Sequence, residues 1–219
     1  MGMWLAVMDE HGELAGSISQ MPDLRGMATM IVEHGRELLD RSTHVALELD
    51  LNEAITTQVL RLAREAGRPV YGLPGNLEIV LALPKVLDSL AGFICNHIEI
   101  GRICGQDFAE NDPAGLLRLL PEFASQHRLR SLVVTLGPHG CVYWDGATGQ
   151  PGVQPALKVK VVDTCGAGDA FFSGTVAGLA RGETLAQAVQ MGTRVAACTI
   201  QSAENNCPAL AQALEKMAK

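Results

Sequence analysis

Basic residues are in deficit: 17 Lys and Arg stand against 24 Asp and Glu across 219 residues, a formal net charge of −7. Without a broad positive surface the chain has nothing with which to grip a nucleic-acid backbone, so nucleic acid is excluded as a partner. A small phosphorylated ligand stays admissible, because a few backbone N–H groups at a helix start hold phosphate whatever the global charge. Long apolar runs are also missing. No 18-residue stretch escapes a charge, a Pro or a Gly, so no membrane span is expected. The opening MGMWLAVMDEHGE has no basic leader and meets Asp9 and Glu10 too early for a secretory signal. Six cysteines (Cys95, Cys104, Cys141, Cys165, Cys198, Cys207) show no C-x-x-C spacing and fall mostly in apolar periodic segments, where a thiol serves as a small hydrophobe. The expectation is a reduced, cytoplasmic protein without a redox dithiol. Repeats, low-complexity tracts and linkers are absent too, and one core is expected.

What is present is a globular composition, 47% hydrophobic and 19% charged. Trp4 to Met8 alternates as a strand, Asp9-Glu10-His11-Gly12 turns, and Glu13 to Ser19 resumes the strand, a hairpin pattern. Helical spacing follows from Met27 to Leu38, then a β-branched strand from Thr43 to Leu49. Asn52 is placed to cap a helix that Gly67 ends. Further strands are read at Pro69 to Leu73, Phe93 to Asn96, Ser131 to Leu136, Cys141 to Trp144 and Leu157 to Val162. Helices are read over 77–90, from Asp112-Pro113 to about 128 with a kink or restart at Pro121, and over 167–181, 184–202 and 208–218. Strands separated by helices of this length imply right-handed βαβ units. The class is therefore α/β: a mainly parallel sheet with helices on both faces, preceded by a small β ribbon.

One stretch concentrates chemistry: Asp163-Thr164-Cys165-Gly166-Ala167-Gly168-Asp169-Ala170-Phe171. A β run stops, small residues follow, and a helix begins whose first N–H groups have no internal partner and carry the positive end of the dipole. Gly166, Ala167 and Gly168 allow backbone to approach an anion closely, with Gly168 expected either at positive φ or against phosphate. Asp169 falls in the first turn, where a carboxylate beside an anion hole suits a general base in phosphoryl transfer. The same residues would serve as a tight turn and a helix-favouring acid, and the pattern alone leaves both readings open. Neither G-x-x-x-x-G-K-[ST] nor a full G-x-G-x-x-G occurs, which argues against a P-loop enzyme and a dinucleotide fold.

The stretch resembles the D-T-x-G-A-G-D-x-F signature of the ribokinase-like (PfkB) carbohydrate and nucleoside kinases. Asn96-His97-Ile98-Glu99 is similar to that family's N-x-x-E motif, and Thr135-Leu136-Gly137-Pro138-His139-Gly140 to its T-x-G-x-x-G. The Asn205-Asn206 loop and the general spacing lean toward the pseudouridine and nucleoside kinase branch. The resemblance implies an ATP-dependent phosphotransferase acting on a hydroxyl of a sugar or nucleoside, with Asp169 as base and the amides of Gly166, Ala167, Gly168 and Asp169 as anion hole. It implies that Asn96 and Glu99 organise Mg²⁺ through water, although taken alone they read as a helix cap and a solvated acid. Thr135, Gly137, Gly140, Thr164 and Asn206 would border the nucleotide, Gly140 serving chiefly the turn, and 197–206 would wall the adenine pocket. Asp163 and the Cys165 carbonyl would match a K⁺ loop, while no histidine has metal-ligand company.

It further implies a partial β lid over 1–20 on a kinase core over 21–219; because an isolated two-stranded ribbon is marginal in water and exposes edges, the hairpin is expected to pair with that of a second copy and make a dimer. Two departures stand out. Family members carry N-terminal strands and sugar-binding glycine-rich and acidic positions that have no counterpart here. Leu73 precedes Pro74 where many relatives carry an acid. A nucleotide-binding remnant without catalysis is the alternative reading.

Overall fold

A computed structural model describes residues 2–8 and 14–217 of the chain. The elements are β1 (Met3–Met8), β2 (Leu14–Gln20), α1 (Arg25–Asp40), β3 (Val45–Glu48), α2 (Glu53–Glu65), β4 (Val70–Leu73), α3 (Leu77–Ala82), β5 (Gly92–Asn96), α4 (His97–Cys104), α5 (Pro113–Gln126), β6 (Ser131–Thr135), β7 (Cys141–Asp145), β8 (Gln150–Gln154), α6 (Ala167–Ala180), α7 (Leu185–Thr199) and α8 (Leu210–Met217). Strands β3 to β6 run parallel in sequence order, and β7 and β8 extend the same sheet antiparallel. Strands β1 and β2 form a separate antiparallel ribbon pairing Leu5 with Ile18. The expected turn at 9–12 and the start of β2 at Glu13 lie outside the described residues.

Alternation along the central strands shows that the sheet is covered twice. Phe93, Cys95, Leu132 and Val134 point into one core with Ile31 of α1, Ile55 and Leu62 of α2, Ile100 of α4 and Leu120 of α5. Ile94 and Val133, one residue out of phase, point into a second core with Phe171, Phe172 and Val176 of α6 and Val189 of α7. The helices start where the sequence places caps. Asn52 Oδ1 accepts the Ile55 N–H at 2.9 Å, and Asp112 Oδ1 accepts that of Ala114 at 3.0 Å. Gly67, at φ 66°, follows the end of α2.

The antiparallel extension differs from the expectation. Gly149, at φ 68°, donates its N–H to the Asp145 carbonyl at 2.8 Å and reverses the chain into β8. Gly152 then lies flat on the Tyr143 ring, where a Cβ would not fit. The Gly and Pro content that suggested a loop is the signature of an edge strand instead. Leu157 to Val162, read as a strand, is irregular and has its Leu157, Val161 and Val162 side chains exposed, because no neighbouring strand completes a ladder there. The stretch read as one helix over 77–90 divides into α3 and a 3₁₀ segment at Pro84–Ser89, Pro84 breaking the α pattern. Pro121 neither ends nor restarts α5, which runs through it as one element.

Helices α6 and α7 pack unusually closely, and this fixes where α6 begins. A Cβ on Gly174 would stand 2.9 Å from the Gly192 Cα, and one on Gly178 would stand 2.8 Å from the Ala188 Cα. Small residues thus let the two backbones touch, and the α6 N-terminus is held at the carboxyl end of the sheet.

Candidate active site

A cleft of about 1090 Å³ opens where four parallel strands end. Their last residues, Glu48 of β3, Leu73 of β4, Asn96 of β5 and Thr135 of β6, all line it. This is the place where open α/β sheets bind ligands, since loops diverge beyond the strand ends. The first turn of α6 forms the facing wall with Gly166, Gly168 and Asp169, and the ribbon contributes Met3 and Gln20.

Gly166 caps α6 at φ 78°, the left-handed region, and a Cβ there would strike the Asn205 carbonyl. The left-handed residue is therefore Gly166 and not Gly168, which is helical and has open space before it. The Ala167 N–H is turned back to the Thr164 carbonyl at 3.2 Å. Among the described residues, the N–H groups of Gly166, Gly168 and Asp169 have no protein acceptor. They are the orphan donors of a helix start and bear the positive end of its dipole. The loop before them is braced twice: Asp163 Oδ1 accepts the Cys165 N–H at 2.9 Å, and the Ile200 carbonyl accepts the Val162 N–H at 2.7 Å.

Asn96 and Glu99 form a reciprocal capping box at the start of α4. Asn96 Oδ1 accepts the Glu99 N–H at 2.8 Å, and Glu99 Oε2 accepts the Asn96 N–H at 2.7 Å. One carboxylate oxygen is thereby committed to structure while the residue still faces the cleft. Thr135 Oγ1 donates to the Cys95 carbonyl at 3.4 Å, joining the ends of β5 and β6.

Acids dominate the cleft. Partial burial raises the pKa of Asp169 above its ordinary 3.8. Burial also raises Glu99, opposed by the hydrogen bond from the Asn96 N–H. Glu48 is raised by burial first, then by the negative charges of Asp169 and Asp50. None of the described lining residues is Lys, Arg or His. An anion entering here meets backbone dipoles and carboxylates, so a polyphosphate needs a cation to accompany it.

Of the residues singled out from sequence, Asn96, Glu99, Thr135, Gly166, Gly168 and Asp169 come together at the cleft. Ala167, Thr164, Asp163, Gly137, Gly140 and Asn206 do not line it. Gly137 and Gly140 have φ 50° and 92°, and a Cβ on Gly140 would collide with the backbone at Gln154 and Ala156, so both shape the turn between β6 and β7. Asn205 reaches the cleft where Asn206 does not. Sequence reasoning missed Glu48 and Asp50. The available signal was an acid closing an apolar strand at its carboxyl end.

Comparison with known proteins is consistent along the chain. The description "pfkB family carbohydrate kinase" matches residues 31–210. The chain is 34% identical to guanosine-inosine kinase of Exiguobacterium acetylicum over 216 residues, 98% of this chain and 70% of that one. It is 23% identical to pseudouridine kinase of Escherichia coli over 94% of its length and 64% of that enzyme's. Arabidopsis thaliana ribokinase, solved with ribose and ATP, superposes with a TM-score of 0.75 at 19% identity, covering 98% of this chain and 68% of the other. With a match over most of its length and a relative above 30% identity, the chain belongs to the pfkB family of carbohydrate kinases.

Proposed function

We propose that the chain transfers the γ-phosphoryl group of ATP to a hydroxyl of a nucleoside or sugar, with Asp169 as general base. The observation that carries this is the position of Asp169 in the first turn of α6, beside orphan N–H groups in a cleft at the strand ends. In the reaction the Asp169 carboxylate takes the acceptor hydroxyl proton as its oxygen attacks phosphorus. The bond to the bridging β–γ oxygen breaks, and ADP departs with that electron pair. The Gly166, Gly168 and Asp169 amides stabilise charge on the transferred group, and the raised pKa of Asp169 suits it to take up a proton. Ala167 supports the same turn by its bond to Thr164. Thr135 would border the nucleotide, with Gly137, Gly140, Thr164 and Asn206 holding the loops around it.

The fit of the cleft to magnesium rests on its donors: carboxylates and no cationic side chain among the described lining residues. Glu99 would hold Mg²⁺ through water with its uncommitted oxygen, Asn96 keeping that carboxylate in place, and the ion would supply charge neutralisation to the phosphates. A K⁺ in the 163–166 loop would meet the second oxygen of Asp163 and the Cys165 carbonyl. The absence of cationic side chains among the described lining residues disfavours an anionic acceptor. Similarity to guanosine-inosine kinase puts purine nucleosides ahead of pseudouridine in that class.

We further propose a homodimer through the ribbon. Met3, Leu5, Val7 and Ile18 project from one face of β1 and β2 and are 50% to 60% exposed, and a two-stranded ribbon is marginal in water without cover. The setting is a reduced cytoplasm. The test is a coupled assay of ADP release over guanosine, inosine, pseudouridine and ribose with Mg-ATP, beside ATP titration. Turnover of one acceptor with saturable ATP binding is expected. ATP binding without turnover of any acceptor would leave only the nucleotide-binding reading.

A further inference from the structure

A second cavity, of about 680 Å³, opens at the other end of the sheet, where β4 and β6 begin and antiparallel β7 ends. Strand β6 separates it from the active cleft: Ser131 at its start lines the cavity, and Thr135 at its end lines the cleft. The walls are aromatic and fixed. Half-buried Trp144 of β7 packs against the first core and Tyr71 of β4 against the second, and the Tyr71 ring is stacked on that of His44 with centroids 6.0 Å apart. Gly92 makes room for Tyr71, since a Cβ there would strike its ring and the Ser131 hydroxyl.

Charge here is the reverse of that in the active cleft. Arg128 and Arg130 line the cavity, and neither guanidinium has a hydrogen-bond or ion-pair partner among the described residues. The two acids beside them are engaged: Asp145 Oδ1 accepts the Ala147 N–H at 2.9 Å, and Glu183 Oε1 accepts from Arg181 Nε at 3.1 Å. Arg130 is anchored through its backbone, its N–H donating to the Ala91 carbonyl at 2.9 Å and its carbonyl accepting the Gly146 N–H at 2.8 Å. Arg128 is strained. At φ 56° it is the one non-glycine residue with positive φ among the described residues, and it follows the α5 C-cap His127, where glycine is customary.

We propose that this cavity is a binding site for a nucleoside monophosphate, with the phosphate on Arg128 and Arg130 and the base against Trp144. Guanidinium forks match phosphate oxygens in pairs, an indole face takes a flat heterocycle, and the volume is that of a small-ligand pocket. A sugar phosphate would leave the indole unused, and an uncharged nucleoside would leave both arginines unpaired. The site is independent of the reaction assigned to the active cleft, so absence of kinase turnover would not touch it.

The chain has two tryptophans, and Trp4→Phe leaves Trp144 as the single reporter. Titration of that full-length variant with guanosine monophosphate should quench indole emission saturably, whereas nucleotide confined to the active cleft stays at the far end of β6 from Trp144. Guanosine should quench only at about tenfold higher concentration or above, and inorganic phosphate should compete as weakly. Arg130→Gln, made in the same background, should raise the Kd about tenfold. Arg128→Gly should do the same and also raise the Tm, because glycine adopts positive φ without strain. An arginine kept there for structure would instead lower the Tm when removed. That result would overturn Arg128 as a ligand and leave Arg130→Gln to decide the site. Absence of saturable quenching, equal quenching by guanosine and its monophosphate, or a Kd that both arginine variants leave unchanged overturns the proposal.

Discussion

The two walls of the cleft are built in opposite ways. On the α4 and α6 side the framework is tied down around the free donors: a capping box ties Asn96 to Glu99, Asp163 braces the loop, and close packing against α7 fixes the helix start. On the other side the ribbon and α1 leave apolar side chains in water, including Met3, Leu5, Met27 and Met30. Preorganisation belongs where charge develops during reaction, since donors already in place need no rearrangement. The second wall has apolar surface to spend on an acceptor or on another subunit. If this division is right, substitutions on the first wall should affect chemistry and nucleotide, and those on the second should affect association.

The largest effect is expected at Asp169. Asp169→Asn keeps the shape but removes the base, so kcat should fall by about 10² to 10⁴ while ATP still binds. Near-normal turnover would end the assignment of Asp169 as base, and loss of ATP binding would mean that its charge serves the nucleotide instead.

Next come two glycines two residues apart that should behave differently. At Gly166 a valine would be forced to φ 78° and against the Asn205 carbonyl. Strain of about 1–3 kcal/mol plus that collision should appear as a lower Tm. A Cβ on Gly168 would meet nothing within 4 Å beyond its own helix. Gly168→Val should therefore fold with only a small loss, yet fill the space before the amides and weaken ATP binding by about tenfold or more. Calorimetry with ATP titration on both variants checks this, and equal ATP affinity in folded Gly168→Val would remove the amides from the nucleotide site.

The second wall is tested at the ribbon. Leu5 and Ile18 are cross-strand partners on one exposed face. Leu5→Asp with Ile18→Asp places like charges opposite each other in any interface formed there. A shift from dimer to monomer in light scattering at micromolar concentration is expected, with ATP affinity little changed. A parent chain that is already monomeric would refute the interface.

The first wall was also the more legible in sequence. Its residues lie within a few positions of one another, so local rules reach them: Asn96 and Glu99 at cap spacing, the small residues and Asp169 at a strand-to-helix junction. The parallel strands were readable because burial on both faces makes them continuously apolar, as in Phe93 to Cys95 and Leu132 to Val134. Strand β8 was not readable, since Pro151 and Gly152 are tolerated only because it is an edge, a fact of tertiary position. Glu48 and Asp50 were missed for a similar reason. They reach Asp169 across more than a hundred residues of chain, and only the order of the strands brings them there.

The smallest effect, and the one that links the two walls, is expected at Glu48. Its pKa is raised by burial and by the charges of Asp169 and Asp50, so the folded state holds its proton more tightly than the unfolded chain does. The ionised carboxylate therefore destabilises the fold, and stability falls as pH rises from the ordinary 4.5 of the unfolded chain through the raised folded value. Glu48→Gln removes that penalty at neutral pH. Because Glu48 is only partly buried, solvent screens much of it, and a Tm rise of only about 1–2 °C is expected at pH 7. Near pH 4 the gain should vanish, since the carboxyl is then protonated in both states. Asp169 is raised by burial alone and its charge acts on Glu48, so Asp169 ionises while Glu48 is still protonated, and the acidic limb of kcat/KM, which follows ionisation of Asp169, should stay in place in the variant. A stability gain with the limb moved to lower pH would show that Glu48 already carries charge when Asp169 ionises, and that the acid at the end of β3 tunes the base.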